Sequence, residues 1–386
     1  MRIAIDIRKI GSRSTGDEVY TFYLIKELMR LTEAKKHDFL LLTDKPEKNI
    51  KKILSPLPEN FKIFQIKPRA KIFWTFFSLP RFLKKNPVDV LHVQYIAPFF
   101  LDRKIKIITT IHDVSFRANP KWIRKKDSLF LNSLIPLTLK RADLVVTVSN
   151  FSKNEIIKFY KFPTEKIFVT NPAVDLRLFK VEKEEQKKDK IQAILGGKFP
   201  YILHLSSMQP RKNVPLIIKA FTLLKEKNNF KNLKLVLVGG KNGYNYDKKI
   251  DEILENSPVK KDIIFTGYIS ENDLPDFYRK SSLFVFPSSY EGFGIPLLEA
   301  MANGAPIISS DIPSFLEIDG GKNIITKINI DKKEPETARE LSREIENILE
   351  NSKAREEKIA KGLERVKEFT WENLAKKTLE VYEKFE

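Results

Sequence analysis

The sequence predicts an α/β protein of two domains, each built on a doubly wound parallel sheet. Its 386 residues exceed what one hydrophobic core usually serves. In both halves, short apolar runs alternate with helical segments, which is typical of parallel sheets covered by helices on both faces. A stretch rich in Lys and Glu, residues 181–198, separates the halves and predicts a charged surface linker.

The first domain is predicted over residues 1–180. Its strands are predicted at residues 2–7, 38–43, 61–66, 88–93, 105–110 and 143–148, with helical or loop segments between them. Ligands of doubly wound sheets bind at the carboxyl ends of the strands. Polar residues that directly follow these runs are therefore candidate site residues.

A loop with two glycines follows the first predicted strand. Gly11 and Gly16 precede a helical pattern at residues 19–31, and strand, glycine loop and helix together form the phosphate-facing arrangement of a doubly wound domain. Asp17 and Glu18 come directly after Gly16, however, and their negative charges oppose the binding of an anion. Two interpretations stay open: Gly16 contacts a phosphate, or the segment is a plain turn before a helix.

His112 and Asp113 come directly after another predicted strand. A His-Asp pair at the end of a strand can hydrogen-bond sugar hydroxyls or take part in proton transfer, because imidazole titrates near neutral pH. The alternative is a structural histidine that caps the loop.

Residues 67–85 combine Lys and Arg with five aromatic side chains. Basic and aromatic residues on one short helix are typical of a segment that lies on an anionic membrane surface. The alternative is a helix whose aromatic rings pack on the sheet while its cations stay in water. The basic stretch 121–126, with Trp122, either extends the same face or is a solvated turn.

The second domain is predicted over residues 199–367. Its strands are predicted at residues 201–205, 233–238, 262–267, 283–286 and 305–309, and a helix at 338–349. The amphipathic pattern at residues 369–385 predicts a terminal helix within a separate C-terminal segment, residues 368–386.

Two adjacent cations follow the first strand of this second domain. Arg211 and Lys212 precede Asn213, a helix-capping residue type, and Pro215 at an early helical position. At a junction between strand and helix they can hold a diphosphate, with Arg as a planar fork and Lys as a point charge. The alternative is ordinary surface charge.

Residues 287–303 contain the most informative motif, P-S-S-Y-E-G-F-G-I-P-L-L-E-A-M-A-N. A glycine-interrupted loop at residues 292–294 leads into a short helix that Pro296 opens. Free backbone amides at a helix start attract an anion, whereas the carboxylates of Glu291 and Glu299 can accept hydrogen bonds from hydroxyls. This combination suits a sugar joined to a phosphate.

Composition excludes several kinds of site. The chain has no Cys, which excludes disulfides and thiolate chemistry, and its four His residues lack the spacing of a zinc site. The net charge of +19 predicts an anionic partner or surface, without separating nucleotide-sugars, phospholipid headgroups and nucleic acid. No apolar run is long enough to span a membrane, and the first residues do not resemble a secretory signal. A cytoplasmic location is therefore expected. If residues 67–85 touch a membrane, the protein would lie at its inner face.

The motif at residues 287–303 resembles the E-x7-E motif of the retaining glycosyltransferases of family four, which have the GT-B fold. The similarity extends over nearly the whole chain, is strongest over residues 201–311, and indicates a mannosyltransferase-like member. It implies two Rossmann-like domains that face a central cleft, with the C-terminal helix crossing back to the first domain. Three features depart from the family pattern: the acidic pair after Gly16, Ala173 where Gly is common, and Ser206 where Gly is also common.

The resemblance also implies roles for individual residues. Four residues would take part in catalysis, namely His112 above the reaction centre, Glu291, Arg211 and Lys212. Asp113 would orient the histidine or contact the acceptor. The donor would be bound by Gly16, Arg211, Lys212, Tyr268, Ile269, Glu291, Gly292, Phe293, Gly294, Ile295 and Glu299, with Tyr268 beside the base, Glu291 on the sugar and Glu299 on the ribose.

The function expected from these observations is transfer of a hexose, with mannose favoured, from a nucleoside diphosphate sugar to a hydroxyl of a glycan or lipid-linked acceptor. The cations and the amides of Gly294 and Ile295 would stabilise the leaving phosphate, so neither a metal nor another cofactor is expected. Two alternatives stay open: a non-catalytic binder of an anionic surface or nucleic acid on the same scaffold, and a sugar-nucleotide epimerase. The intact glutamates favour an enzyme, which makes nucleic acid an unlikely partner.

Overall fold

The computed structural model describes residues 1–12, 16–67, 73–176, 185–241 and 245–386, and for residues 185–189 it gives the backbone alone. The chain forms two compact units. The first comprises Met1–Pro120, Lys125–Pro172 and Thr370–Glu386, and the second comprises Lys121–Arg124 and Ala173–Phe369. Each unit contains one parallel sheet, which confirms the predicted fold class.

The sheet of the first unit has seven strands in the order β3-β2-β1-β4-β5-β6-β7. They are β1 Arg2–Asp6, β2 Asp38–Thr43, β3 Phe61–Gln65, β4 Val90–Gln94, β5 Lys106–Ile111, β6 Leu144–Thr147 and β7 Ile167–Val169. Ile3 of β1 pairs with Phe39 on one side and with Val90 on the other. The strand order therefore reverses at β1, and doubly wound sheets bind ligands beside such a reversal.

The sheet of the second unit has six strands in the order β10-β9-β8-β11-β12-β13. They are β8 Tyr201–Leu205, β9 Lys234–Val238, β10 Ile263–Gly267, β11 Leu283–Phe286, β12 Ile307–Ser310 and β13 Thr326–Ile328. Every side chain of β11 is buried, because a strand covered on both faces places both sets of alternating side chains in the core. The order reverses between β8 and β11.

Helices connect the strands of both units. In the first unit they are α1 Gly16–Leu28, α2 Glu47–Leu54, α3 Leu79–Lys85, α4 Ser115–Ala118, α5 Lys125–Arg141 and α6 Asn150–Tyr160. In the second they are α7 Glu185–Leu195, α8 Val214–Lys225, α9 Lys249–Glu255, α10 Leu274–Lys280, α11 Ile295–Ala302, α12 Pro313–Asp319, α13 Glu334–Glu350 and α14 Ser352–Arg365. Within the described part of the chain, none of the helices could span a membrane by its length and apolar content.

The terminal helix, α15 Trp371–Glu383, belongs to the first unit, as the predicted fold class requires. The ring of Trp371 stacks on Tyr23 of α1 at a centroid distance of 4.7 Å. Deeper in the unit, the hydroxyl of Tyr382 lies 2.7 Å from Nδ1 of His92, and burial lowers the pKa of His92 to about 3. A neutral imidazole therefore joins the helix to β4 by a buried hydrogen bond.

The predicted linker at residues 181–198 differs from the structure. Residues 185–195 form α7, in which Ile191 and Leu195 are buried, and the second unit already begins at Ala173 rather than after residue 198. Lys190 of α7 pairs with Asp273 at 2.7 Å. Ile191 and Leu195 are four positions apart, so they lie on the same face of the helix. Burial of this face stabilises a helix in a segment whose charged residues had predicted a solvated linker.

Two strand ends of the second unit approach each other at Gly239, just after β9. A Cβ at this position would lie 1.9 Å from the carbonyl oxygen of Ser206, and the φ angle of +141° is also one that L side chains rarely adopt. Gly239 is therefore the residue that allows the loops after β8 and β9 to lie this close together.

We expect Gly239→Ala to lower the free energy of unfolding by at least ~2 kcal/mol, because the substitution strains the backbone and collides with Ser206. Gly240→Ala is the matched control, since a Cβ there would meet nothing within 4 Å. Chemical denaturation of both variants measures the difference. Equal stability of the two variants would show that the close approach is not present in solution.

Candidate functional site

The cations Arg211 and Lys212 lie in a short 3₁₀ turn, Pro210–Lys212, between β8 and α8. Asn213 follows with a φ angle of +58°, and Pro215 occupies the first turn of α8. The amide of Ser289, after β11, donates to the carbonyl of Arg211 at 2.7 Å. This bond fixes the loop that carries the cations against the loop that leads to Glu291.

Glu291 binds both cations. Its Oε2 lies 2.6 Å from the Arg211 guanidinium, and its Oε1 accepts a hydrogen bond from Nζ of Lys212. Glu291 and Lys212 are each only 8% exposed. Burial by itself raises the pKa of the Glu291 carboxyl, but the two cations outweigh it and lower that pKa to about 2. Glu291 is therefore a carboxylate throughout the physiological pH range.

The three residues form an ion cluster, which we call the Arg–Lys–Glu cluster. Nζ of Lys212 also lies 5.0 Å from the ring centroid of Phe286, at the end of β11. Within this cluster, two positive side chains contact one negative side chain. Such a pair of cations suits an anion, and a diphosphate matches both the planar guanidinium and the point charge of the ammonium.

Helix α11 begins beside this cluster, directly after Gly294. A Cβ on Gly294 would lie 2.8 Å from the ring of Phe315, and the φ angle is +134°, so only glycine fits. The amide of Leu297 bonds to the Gly294 carbonyl at 2.9 Å, whereas amides in the first turn of a helix lack partners within the helix. The predicted glycine loop and helix start are therefore both present.

Glu299 lies in the second turn of α11, where Oε2 accepts a hydrogen bond of 2.8 Å from the hydroxyl of Tyr278. Burial raises the pKa of Glu299 to about 7, the Tyr278 hydroxyl opposes the rise, and the nearby Glu271 carboxylate adds to it. The two glutamates of the motif thus differ: Glu291 is fully ionised, while Glu299 exchanges a proton near neutral pH.

Tyr278 is a residue that sequence reasoning missed. It lies on α10, fully buried, and its hydroxyl reaches the motif across the fold. The only signal in the sequence is indirect, since a buried tyrosine needs a partner for its hydroxyl and a motif carboxylate can supply it.

Three further predicted donor residues have distinct environments. After β10, Tyr268 is 68% exposed and Ile269 is buried. The ring of Phe293 is buried and packs edge-on against Phe369, 5.7 Å between centroids. Most of the Tyr268 side chain is thus exposed at the surface, whereas the Phe293 ring is a packing group.

In the first unit, His112 is buried directly after β5. Its ring meets Tyr20 edge-on at a centroid distance of 4.9 Å and lies 5.8 Å from Tyr95. Nε2 is 3.9 Å from a carboxylate oxygen of Asp17 and, within the part of the chain that the structure describes, has no hydrogen-bond partner. Burial lowers the pKa of His112, so the imidazole is neutral near pH 7.

Asp113 has a local structural contact. One of its carboxylate oxygens accepts a hydrogen bond of 2.9 Å from the amide of Ser115, at the start of α4. The predicted contact of Asp113 with an acceptor is separate from this bond and stays a prediction.

The glycine loop after β1 is held, over its described residues, by hydrogen bonds to an acid. Oε1 of Glu18 accepts hydrogen bonds from the amides of Gly11 at 2.5 Å and Ser12 at 3.0 Å. Gly16 is the first residue of α1, and residues 13–15 lie outside the described part of the chain. The donor contact of Gly16 stays a prediction, and the Glu18 bonds favour the alternative of a turn before a helix.

Sequence reasoning also missed Arg8, after β1. Its guanidinium binds the Asp6 carboxylate at 2.6 Å and stacks over the ring of Trp74 at 3.7 Å.

In the described ranges, no group of three or more His, Asp or Glu side chains could hold a metal ion.

These features define a class of protein. Two doubly wound parallel sheets, with a buried positive cluster and a helix start at the carboxyl edge of the second, are the architecture of a GT-B glycosyltransferase. The comparisons with known proteins agree. Residues 15–178 match the family model described as Glycosyltransferase Family 4, and residues 185–365 match the model described as Glycosyl transferases group 1.

Several relatives are similar over most of the chain. O-antigen chain mannosyltransferase B of Escherichia coli is 30% identical over 287 residues, 74% of this chain and 72% of the relative. O-antigen chain mannosyltransferase RfbU of Salmonella typhimurium is 26% identical, over 81% of this chain and 83% of the relative. The chain therefore belongs to glycosyltransferase family four and is a glycosyltransferase, of the mannosyltransferase-like type that the sequence predicted.

A solved structure shows the same fold. The crystal structure of Anabaena Alr3699/HepE in complex with UDP and glucose superposes with a TM-score of 0.74 at 15% identity, over 100% of both chains. At this identity the likeness concerns the fold alone.

The raised pKa of Glu299 predicts how stability depends on pH. The folded state holds the proton up to about pH 7, while the unfolded chain releases it near the ordinary value of 4.5. The stabilising effect of the neutral carboxyl is therefore complete below pH 4.5 and is lost as the pH rises to about 7. We expect Glu299→Gln to be more stable than the unchanged protein at pH 8, by on the order of 2 kcal/mol, and to show a much smaller difference at pH 5.

Denaturant unfolding at the two pH values measures this difference. Glu336→Gln, at an exposed position of α13, is the matched control and should show no such pH-dependent gain. Parallel stability curves for Glu299→Gln and the unchanged protein would contradict the assignment of a buried, proton-exchanging Glu299.

Proposed function

We propose that this glycosyltransferase moves a mannosyl group from GDP-mannose to a hydroxyl of a growing glycan or a lipid-linked acceptor. The proposal includes retention of the anomeric configuration and independence from a divalent metal. The observation that carries it is the Arg–Lys–Glu cluster, in which Arg211 at 2.6 Å and Lys212 hold a buried carboxylate beside a helix start.

The cluster suits the departure of a nucleoside diphosphate. When the bond between the sugar and the β-phosphate breaks, negative charge grows on the phosphate oxygens. Cations that are already fixed in a water-poor site stabilise this charge without reorganising. Arg211 and Lys212 are held in this way by Glu291, and no metal ion is required for the same task.

A bound diphosphate would share the two cations with Glu291. A carboxylate has more acceptor positions than these two contacts use, so Glu291 could also accept hydrogen bonds from hydroxyls of the hexose. The proposal thus gives Glu291 two partners at once, the cations and the donor sugar.

Helix α11 would complete the donor site. The first-turn amides at Gly294 and Ile295 favour a phosphate, both by direct hydrogen bonds and by the helix dipole. Glu299, in the next turn, would accept hydrogen bonds from the ribose in its ionised form. The exposed ring of Tyr268 would lie beside the base.

His112 is proposed to act on the transferred sugar. A neutral imidazole whose Nε2 has no hydrogen-bond partner among the described residues can bind a sugar hydroxyl or accept a proton. The edge-on ring of Tyr20 and the bond from Ser152 to the His112 carbonyl at 3.0 Å fix the orientation of this residue.

The names of the relatives support the choice of sugar and acceptor. Both relatives described above are named as mannosyltransferases of the O-antigen chain, a polysaccharide. The base is less constrained, because HepE was solved with UDP. We therefore place GDP-mannose first and a UDP-sugar second.

Family membership argues against a non-catalytic binder of anionic surfaces or nucleic acid. An epimerase on the same scaffold would turn over the donor without any acceptor. A transfer assay therefore separates the three, since only a glycosyltransferase makes a glycoside that depends on the acceptor.

The test is Arg211→Ala combined with Lys212→Ala, assayed with GDP-mannose and with UDP-glucose. We expect kcat/KM to fall by about 10²-fold or more, because the charge on the leaving phosphate loses its stabilisation. Lys219→Ala, which removes a surface cation of α8, is the matched control and should retain activity. NMR of the product should show the anomeric configuration of the donor.

Removing both cations leaves Glu291 buried without a partner, which costs stability. A second variant, Lys212→Met with Glu291→Gln, removes both buried charges and should fold but lose transfer by a similar factor. Transfer within about threefold of the unchanged protein in the cation variants would refute the phosphate assignment.

His112→Ala in the same assay should lower kcat by about 10²-fold with little change in the KM for the donor.

A further inference from the structure

The first unit exposes large apolar side chains on three segments. Phe73, which precedes the helical turn Trp74–Ser78, is 46% exposed, and Phe77 within that turn is 60% exposed. Phe100, in a later loop, is 86% exposed. On α5, Leu129, Phe130 and Leu137 are 71%, 40% and 44% exposed. Exposed single residues are ordinary, but six large apolar side chains on segments that contact one another indicate an interaction surface.

Contacts in the first unit connect the three segments. The rings of Phe76 and Phe99 lie 5.0 Å apart, which joins the helical turn to the loop that carries Phe100. The amide of Ala97, in the same loop, donates to Oγ1 of Thr138 on α5 at 3.1 Å. We call the six exposed side chains Phe73, Phe77, Phe100, Leu129, Phe130 and Leu137 the apolar surface.

The exposed face of α5 has an unusual pattern. Positions 126, 129, 130, 133, 137 and 140 share one face of the helix, and all six are exposed. Two leucines, a phenylalanine and Ser133 occupy its middle, and a lysine lies at each end. A helix at the surface of a protein in water normally packs its apolar face against the core. This exposed face instead suits surroundings that are apolar next to the middle of the helix and anionic next to its ends.

Charge indicates which environment this is. Residues 73–85, 96–104 and 125–141 contain nine Lys and Arg but only two Asp and no Glu, a net charge of +7 in 39 residues. Lys and Arg can extend along an apolar surface and place their charges at the level of lipid phosphates. A protein partner of the same shape would need a matching acidic rim, whereas an anionic bilayer supplies charge and apolar depth together.

We propose that the apolar surface docks on an anionic phospholipid bilayer. The rings of Phe77 and Phe100 and the α5 leucines would enter the boundary between headgroups and acyl chains, and the surrounding Lys and Arg would bind lipid phosphates. This role goes beyond glycosyl transfer and does not depend on it, because it concerns a surface of the first unit. The buried Trp74, with Nε1 donating to the Ile66 carbonyl at 3.0 Å, anchors the helical turn to the sheet.

The test is flotation of the purified chain with vesicles of phosphatidylcholine alone and of phosphatidylcholine mixed with phosphatidylglycerol, without donor. We expect binding to the mixed vesicles, weakened by salt, and little binding to phosphatidylcholine. Leu129→Ser, Phe130→Ser and Leu137→Ser together should weaken partitioning about tenfold or more. Lys125→Gln and Lys126→Gln should weaken it about fivefold for each lysine.

Matched controls come from the second unit: Leu316→Ser with Leu363→Ser, and Lys353→Gln with Lys361→Gln, all at exposed positions. They should bind like the unchanged chain, and thermal melting should confirm that every variant folds. Failure of the unchanged chain to bind the mixed vesicles, or equal loss in the controls, would overturn the proposal. So would a dimer in solution that the α5 substitutions dissociate while vesicle binding persists, since a second copy would then be the occupant.

Discussion

A buried carboxylate held by two cations organises the second unit. An unpaired Glu291 at this depth would cost several kcal/mol, so Arg211 and Lys212 must stay beside it. The cations lie after β8 and the carboxylate after β11, and these strands are adjacent in the sheet. The ion cluster therefore fixes two loops together and keeps positive charge where a phosphate can use it.

The rest of the site follows from close backbone approaches around that cluster. Gly239 lets the loop after β9 approach Ser206, and Gly294 lets α11 begin against Phe315. The helix start then adds amides that favour an anion. Within the same motif, two glutamates acquire opposite properties from their surroundings: cations keep Glu291 ionised, whereas burial beside Tyr278 lets Glu299 hold a proton near neutral pH.

Sequence alone could predict the sheets, because strands covered on both faces read as continuous apolar runs. Those at residues 38–43, 201–205 and 283–286 begin and end where predicted. The pairing of Tyr278 with Glu299 depends on tertiary packing and left no local signal. Helix α7 was not predicted because charged residues dominate its composition, and among its described side chains Ile191 and Leu195 form the buried face. Likewise, the hydrogen bonds that Glu18 accepts from the amides of Gly11 and Ser12 give the acid after this glycine loop a structural role.

The central claim is that the cations of the cluster receive the second phosphate of the donor nucleotide. The most direct measurement is the Kd of GDP and GMP, with UDP and UMP alongside, for the unchanged protein and for Lys212→Ala. The account predicts that the diphosphate binds at least about tenfold more tightly than the monophosphate, and that Lys212→Ala removes most of this difference. A variant that binds diphosphate and monophosphate with the same ratio as the unchanged protein would contradict it.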